Sequence, residues 1–232
     1  MEQNITVENI HVFIDHTNVK PNATDDDIIR LCNEAKKYQF HSVCVTPYRV
    51  QLSKRELEGS NIEIICVIGF PYGFVKTEQK VQEAKQAILD GATEIDMVIN
   101  IGAVKEGNWK MVEEEIFDIA QAIKPTGLKV IMEIGFLTKE ELIKACQIAK
   151  KAGAKFVKTS TGYGPRTPTS EDIKIMREAV GPDMGVKAAG GIHTFKDAKK
   201  MIEAGATRIG TSSALQIIGV NKDQSKKELS SE

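Results

Sequence analysis

The stretch KAGAKFVKTSTGYG, residues 151–164, contains the pattern on which the fold prediction rests. Gly153 stands where a helix should end, because helix C-termini favour a residue that adopts the left-handed conformation. A short apolar strand follows at 156–157, and after Lys158 the chain enters a glycine-rich loop. The same punctuation recurs in LDGATEID at 89–96 and EAGATRIG at 203–210. The repeated unit is therefore a helix, a tight turn and a buried strand.

Eight short apolar runs extend this pattern along the chain, spaced by about the length of one βα unit, roughly 30 residues. They lie at 12–15, 42–46, 62–70, 94–100, 128–135, 156–160, 185–191 and 208–212. Helical patterns separate them, and Thr24, Thr138 and Thr194 each begin a capping box or a close variant. Near-continuous apolar strands alternating with helices indicate a parallel sheet that is covered on its faces.

Eight such units in this length predict an α/β protein with one (β/α)₈ TIM barrel over residues 1–220 and its active site at the C-terminal strand ends. A doubly wound open sheet is the alternative, but it favours fewer strands and a G-x-G-x-x-G motif after the first strand. That motif is absent from the sequence. The polar segment 221–232 is predicted to be a disordered tail.

The overall composition indicates a cytoplasmic protein that binds neither nucleic acid nor membranes. Among 232 residues, 31 basic and 32 acidic side chains leave a net charge of -1, so no basic surface is expected. The N-terminus lacks the pattern of a signal peptide, and the longest apolar runs are too short to span a bilayer. The four cysteines are scattered, as in a reducing compartment, and the four histidines show no metal-binding spacing. We therefore predict no metal and no cofactor.

Lys158 is unusual because strand alternation places it on the same face as Phe156. A lysine in this position can extend to solvent or pair with a carboxylate, and either role is purely structural. A second lysine, Lys187, ends the next strand, and Asp96 ends an earlier one. A lysine attacks a carbonyl only as the free amine, and both burial and a neighbouring ammonium favour loss of its proton. Asp96 is then the candidate acid or base, although it could serve only to hold Lys187 through an ion pair.

Three loops of small residues follow the last three strands, at 160–164, 189–191 and 210–213. Each alone is typical of an ordinary turn. Together, at consecutive strand ends of a barrel, they favour a phosphate site built from backbone N–H groups. Ser212 or Ser213 is also expected to cap the short helix that follows.

The sequence resembles the deoxyribose-phosphate aldolase family over about residues 10–218. The matching motifs are IDHTNVKPNAT at 14–24, GFPYG at 69–73, EIDMVINIGAVKEG at 94–107, KTSTG at 158–162, VKAAGGI at 186–192 and RIGTSS at 208–213. The resemblance implies a class I aldolase that reversibly cleaves 2-deoxy-D-ribose 5-phosphate to D-glyceraldehyde 3-phosphate and acetaldehyde. It also implies that Lys158 forms the Schiff base and that Lys187 and Asp96 transfer protons.

The predicted substrate-binding residues are Asp15, Thr17, Thr159, Gly162, Gly190, Gly191, Gly210, Ser212 and Ser213. Of these, Asp15 and Thr17 are implied to lie near the sugar hydroxyl. The chain departs from the family pattern at His193, where similar proteins carry arginine, and at Arg166 in the loop 162–169. The predicted partners are a phosphosugar and acetaldehyde, together with further copies of the chain in a homodimer or homotetramer.

Two other functions remain open from the sequence. A phosphosugar epimerase or isomerase would also use a barrel mouth, but it would need a pair of bases or a metal rather than an imine. A catalytically silent barrel that binds a phosphosugar is the second alternative, and the presence of both lysines and Asp96 disfavours it.

Overall fold

The computed structural model describes residues 4–220, in which eight parallel strands close into a barrel in chain order, with β8 paired to β1. The strands are β1 (Ile14–Asn18), β2 (Ser42–Val45), β3 (Glu63–Ile68), β4 (Glu94–Val98), β5 (Gly127–Ile131), β6 (Phe156–Lys158), β7 (Gly185–Ala189) and β8 (Arg208–Thr211). The predicted (β/α)₈ barrel is confirmed. The predicted disordered tail, 221–232, lies outside the described residues.

Helices connect the strands and cover the outside of the barrel. They are α1 (Asp25–Tyr38), α2 (Val50–Glu56), α3 (Thr77–Asp90), α4 (Ile101–Lys105), α5 (Trp109–Ala122), α6 (Lys139–Lys151), α7 (Ser170–Val180), α8 (Phe195–Glu203) and α9 (Ala214–Ile217). Short 3₁₀ helices lie at Ile10–Phe13, Pro47–Arg49 and Ile134–Phe136.

Two strand boundaries differ from the prediction. The first strand was predicted at 12–15, but Ile10–Phe13 form a 3₁₀ helix and only residues from Ile14 onward pair with β2 and β8. A short apolar run does not distinguish a strand from a buried helical turn. The fifth strand ends at Ile131, and Glu133 has a left-handed φ of 50° that turns the chain away from the sheet.

The predicted helix ends are confirmed. Thr24, Thr138 and Thr194 form reciprocal capping boxes at the starts of α1, α6 and α8. Gly91 and Gly153 have φ values of 118° and 93°, which glycine adopts without the steric cost of a Cβ atom. Each cap stabilises its helix by about 1 kcal/mol and fixes where the following strand begins.

The two faces of the strands build two different interiors. Outward-facing residues such as Ile95 and Val157 pack beneath the helices in the main apolar core. The inward face is rich in polar and charged side chains: Asp15, Ser42, Glu94, Asp96, Lys129, Lys158, Lys187 and Arg208. Phe156 shares the inward face with Lys158, as alternation predicts, but that face is the barrel lumen and not the helix-covered core.

Candidate active site

Lys158 and Lys187 meet on one oxygen of Asp96. The Lys158 Nζ donates to Asp96 Oδ2 at 2.8 Å, and the Lys187 Nζ donates to the same oxygen at 2.9 Å. The lysines occupy paired positions on β6 and β7, so the barrel register places them side by side. Asp96 and Lys187 are fully buried, and Lys158 is 4% exposed. The three residues predicted to perform the chemistry are therefore brought together, with both lysines in contact with Asp96.

Asp96 is surrounded by positive charge. Its second oxygen, Oδ1, lies 3.4 Å from the Nζ of Lys129, which is fully buried on the neighbouring strand β5. Burial alone would raise the pKa of Asp96, but the ammonium groups of Lys158, Lys187 and Lys129 outweigh it and hold this pKa well below its usual range. Asp96 is therefore an anion that can orient both lysines.

Lys187 has a second carboxylate partner. Its Nζ lies 2.6 Å from Asp15 Oδ2, and Asp15 Oδ1 accepts a hydrogen bond of 2.8 Å from the Ser42 hydroxyl. Burial by itself would lower the pKa of Lys187, but Asp15 and Asp96 raise it well above its ordinary value. Lys187 is thus held as an ammonium ion between two carboxylates.

The two lysines consequently differ in what they can do. Lys158 contacts one carboxylate and lines the large cavity at the mouth of the barrel, whereas Lys187 lies beneath it and is enclosed. Only Lys158 is accessible to a carbonyl compound that enters from the mouth. Lys187 supplies a fixed positive charge beside it.

The cavity has a volume of about 800 Å³ and opens at the C-terminal ends of the strands. The predicted site residues that line it are Thr17, Lys158, Gly162, Gly190, Gly191, Gly210, Ser212 and Ser213. A side-chain carbon at Gly210 would lie 2.9 Å from Lys187 Cε, so this glycine gives Lys187 the space that it occupies. These strand ends form one continuous wall.

Two predicted substrate-binding residues lie outside this wall. The hydroxyl of Thr159 donates to Ala189 O at 2.8 Å and accepts the Ala189 N–H at 2.9 Å, so it joins the ends of β6 and β7. Asp15 lies beneath Lys187 and is fully buried. Both residues support the site from behind.

The loops after β7 and β8 offer hydrogen-bond donors to an anion. Within residues 4–220, the backbone N–H groups of Gly190, Gly191 and Ser212 have no acceptor, and all three residues line the cavity. Ser213 occupies the N-cap position of α9, as expected, but its side chain makes no capping hydrogen bond. The Ser213 hydroxyl instead lies 3.0 Å from His193 Nδ1.

The second departure from the family pattern, Arg166, is engaged elsewhere. Its guanidinium binds both oxygens of Asp172, at 2.8 and 2.9 Å, and Asp172 completes the capping box of α7 with Thr169. Arg166 therefore stabilises the loop between β6 and α7.

Several residues of the site were not predicted from the sequence. Lys129 bridges Asp96 and Glu94, with its Nζ 2.5 Å from Glu94 Oε2. The Nη1 atom of Arg208 lies 3.8 Å from Asp15 Oδ1. Lys129 pairs with Asp96 on the neighbouring strand, and Arg208 pairs with Lys187 and lies two positions before Gly210. The available signal was strand alternation, which places both side chains on the inward face of β5 and β8.

Two general features complete the description. Within the described part of the chain, histidine, cysteine and carboxylate side chains form no cluster of three that could hold a metal ion. Among the helices of residues 4–220, none is long and apolar enough to cross a membrane.

An accessible lysine beside a buried carboxylate and a second, enclosed lysine, at the mouth of a (β/α)₈ barrel, defines a site for lysine-dependent carbonyl chemistry. Comparison with known proteins agrees with this class. Residues 9–219 match the DeoC/LacD family of aldolases, and the chain belongs to that family.

The similarity to known proteins covers nearly the whole chain. A deoxyribose-phosphate aldolase of Aciduliprofundum boonei is 57% identical over 208 residues, which cover 89% of this chain and 94% of that protein. The crystal structure of a putative deoxyribose-phosphate aldolase from Coccidioides immitis has a TM-score of 0.90 at 40% identity, covering 93% of this chain and 86% of that one. A tetrameric deoxyribose phosphate aldolase from Aeropyrum pernix has a TM-score of 0.86 at 32% identity, with coverages of 97% and 93%.

Proposed function

We propose that this aldolase reversibly cleaves 2-deoxy-D-ribose 5-phosphate to D-glyceraldehyde 3-phosphate and acetaldehyde through a Schiff base on Lys158. The observation that carries the proposal is the contact of Lys158 and Lys187 with Asp96 at the floor of a cavity with free backbone donors on one side. The similarity to proteins named deoxyribose-phosphate aldolase supports the same substrate.

The proposed reaction begins when the Lys158 amine attacks the aldehyde carbon of the open-chain sugar. Loss of water gives a protonated imine, which withdraws electrons from the bond between C2 and C3. A base removes the proton of the C3 hydroxyl, the C2–C3 bond breaks, and D-glyceraldehyde 3-phosphate leaves. The remaining enamine takes a proton at C2, and hydrolysis releases acetaldehyde and the free amine.

Lys187 and Asp96 supply the proton transfers in this scheme. Lys187 is an ammonium ion held against Asp15 and against Asp96, which also contacts Lys158, so we assign it the role of proton donor. Asp96 contacts both lysines, so a proton can pass between them through its carboxylate. This arrangement positions the proton transfers at the imine.

Borohydride trapping tests the proposal. Acetaldehyde and borohydride should leave an ethyl group on the peptide that contains Lys158, as read by mass spectrometry. Lys158→Arg should abolish both trapping and cleavage, because a guanidinium does not form the imine. Modification of other lysines alone, with activity retained in Lys158→Arg, would contradict the proposal.

The protonated imine provides the electron sink that a metal ion supplies in other aldolases, so we propose that the reaction needs no metal or cofactor. Activity should survive exhaustive dialysis against a chelator. Loss of activity that a divalent ion restores would refute this part of the mechanism.

Assembly and location are proposed on more general grounds. A homo-oligomer, either a dimer or a tetramer, is supported by the tetrameric Aeropyrum pernix relative, and light scattering measures it directly. We also propose a cytoplasmic location, which fractionation of cells would test. Residues 1–220 are proposed to fold as one barrel unit.

A further inference from the structure

Tyr163 spans the mouth of the barrel. From the loop after β6, its hydroxyl donates a 3.2 Å hydrogen bond to Val19 O in the loop after β1. Its ring meets Phe70, in the loop after β3, edge to face with 5.7 Å between centroids. Tyr163, Val19 and Phe70 all line the cavity that contains Lys158. One side chain therefore links three loops above the amine.

Glu133 fixes the backbone on which Tyr163 stands. Its buried carboxylate accepts the Thr161 N–H at 3.0 Å and the Thr161 hydroxyl, and Thr161 Oγ1 in turn accepts the Tyr163 N–H at 3.0 Å. Gly164 packs so closely on Glu133 that a side-chain carbon there would lie 2.3 Å from Oε1. The chain is thus held on both sides of Tyr163, and the position of its ring is preformed.

The two sides of the cavity differ in chemistry. The loops after β7 and β8 present backbone donors at Gly190, Gly191 and Ser212. On the other side, Val19 and Phe70 pack on a small apolar cluster of Cys44, Ile65 and Val67. A substrate with its phosphate at the donor side and its carbonyl at Lys158 has C2 to C4 between these two points. A substituent on C2 that points away from the donors therefore faces the apolar side, where Tyr163 lies.

We propose that Tyr163 is a specificity-determining residue that limits the size of the aldehyde bound as the imine. This inference rests on the proposed function. The carbon that becomes the nucleophile lies next to the imine, and an added methyl group on it would meet the apolar wall formed by Tyr163, Phe70 and Val19. The ring provides the restriction, and the hydroxyl only holds the ring.

The experiment compares acetaldehyde with propanal, which adds one methyl group to that carbon, as donors toward D-glyceraldehyde 3-phosphate. Tyr163→Ala should raise kcat/KM for propanal relative to acetaldehyde by about tenfold, the lower end of what one methylene contributes in a pocket. Tyr163→Phe retains the ring and should stay within about twofold of the original ratio. Tyr48→Ala, at a residue 84% exposed, is the matched control and should leave the ratio unchanged.

An unchanged donor ratio in Tyr163→Ala, with the variant folded by circular dichroism, would overturn the inference. If alanine reduces the folded fraction, Tyr163→Leu provides the same comparison with a smaller apolar side chain. Borohydride trapping of acetaldehyde on Lys158 in the unaltered protein is measured alongside. Absence of that adduct rejects the proposed function, whereas trapping with an unchanged ratio rejects only the role of Tyr163.

Discussion

Lys187 has two proposed roles, electrostatic and proton-transferring, that substitution of this single residue can separate. It provides the positive charge beside Lys158, and it is the proton donor of the proposed mechanism. Lys187→Arg keeps the charge but cannot release a proton near neutral pH. We expect this variant to trap acetaldehyde near neutral pH and to lose most of its turnover, by about 100-fold or more.

Lys187→Leu is the matched comparison, because it removes the charge as well as the proton. Trapping of acetaldehyde in this variant should require a higher pH, since no ammonium remains beside Lys158. The measurement is the pH dependence of the borohydride adduct together with kcat. Full turnover in Lys187→Leu would show that neither role belongs to this residue.

Lys129 is a further cation beside Asp96, and its effect on the pKa of that carboxyl can be tested by substitution. It is one of three cations that lower the pKa of Asp96 against the effect of burial. In Lys129→Met the pKa of Asp96 should rise, so the acid limb of the kcat profile should move to higher pH. Lys129→Met/Glu94→Gln is the companion variant, because it also removes the carboxylate left without its partner. An unshifted acid limb in both variants would refute the role of Lys129.

The sequence identified some of these residues and not others for a physical reason. Lys158 and Lys187 stand at strand ends beside recognisable loops, and Asp96 lies within a specific motif. Lys129 and Arg208 lie deeper in the barrel, where their contacts depend on the register between neighbouring strands. Register arises from the closed barrel and is not visible in any single strand. The roles of Lys158, Lys187 and Asp96 remain predictions.

At the scale of elements, a buried ion pair connects two helices to the end of a strand. The Lys80 Nζ on α3 donates to Glu115 on α5 and to Val98 O at the end of β4, each at 2.9 Å. Both side chains are fully enclosed. Burial lowers the pKa of Lys80 and raises that of Glu115, so each charge depends on the other for its stability.

Removing one partner of this pair should be costly. Lys80→Met leaves the Glu115 carboxylate buried without its cation, and we expect a loss of about 3–5 kcal/mol in the free energy of unfolding in urea. Lys80→Met/Glu115→Leu should recover most of this loss, because no unpaired charge remains. Lys110→Met, at an exposed pair with Glu114, is the control and should change stability by less than about 0.5 kcal/mol. A double variant no more stable than the single one would contradict this explanation.

The starts of helices were the features of the fold most readily predicted from the sequence. A threonine with an acidic residue three positions later satisfies two backbone donors by itself, so Thr24, Thr138 and Thr194 were identifiable without any tertiary structure. Thr169 forms the same box with Asp172 but is preceded by a proline-rich loop that obscured it. The first strand was misplaced because its start depends on pairing with β8, which is distant in sequence.

At the scale of the whole molecule, the order of the strands was predictable and the content of their lumen was not. Eight repeated units imply a closed sheet, because each strand needs a neighbour on both sides. The charged lumen results from inward-facing positions on six different strands, and no local pattern reveals their sum. The division of the mouth into a donor side and an apolar side has the same origin.

This division predicts how a negative charge on the donor side would act. Ser212 is exposed and lines the cavity, so Ser212→Glu should fold normally and place a carboxylate beside the proposed phosphate position. We expect KM for 2-deoxy-D-ribose 5-phosphate to rise by about tenfold or more through repulsion of like charges. KM for unphosphorylated 2-deoxy-D-ribose and the trapping of acetaldehyde should stay nearly unchanged, because neither involves the phosphate. Gln121→Glu adds the same charge on the exposed surface of α5 and serves as the control. Equal increases in KM for both sugars would place the phosphate elsewhere in the cavity.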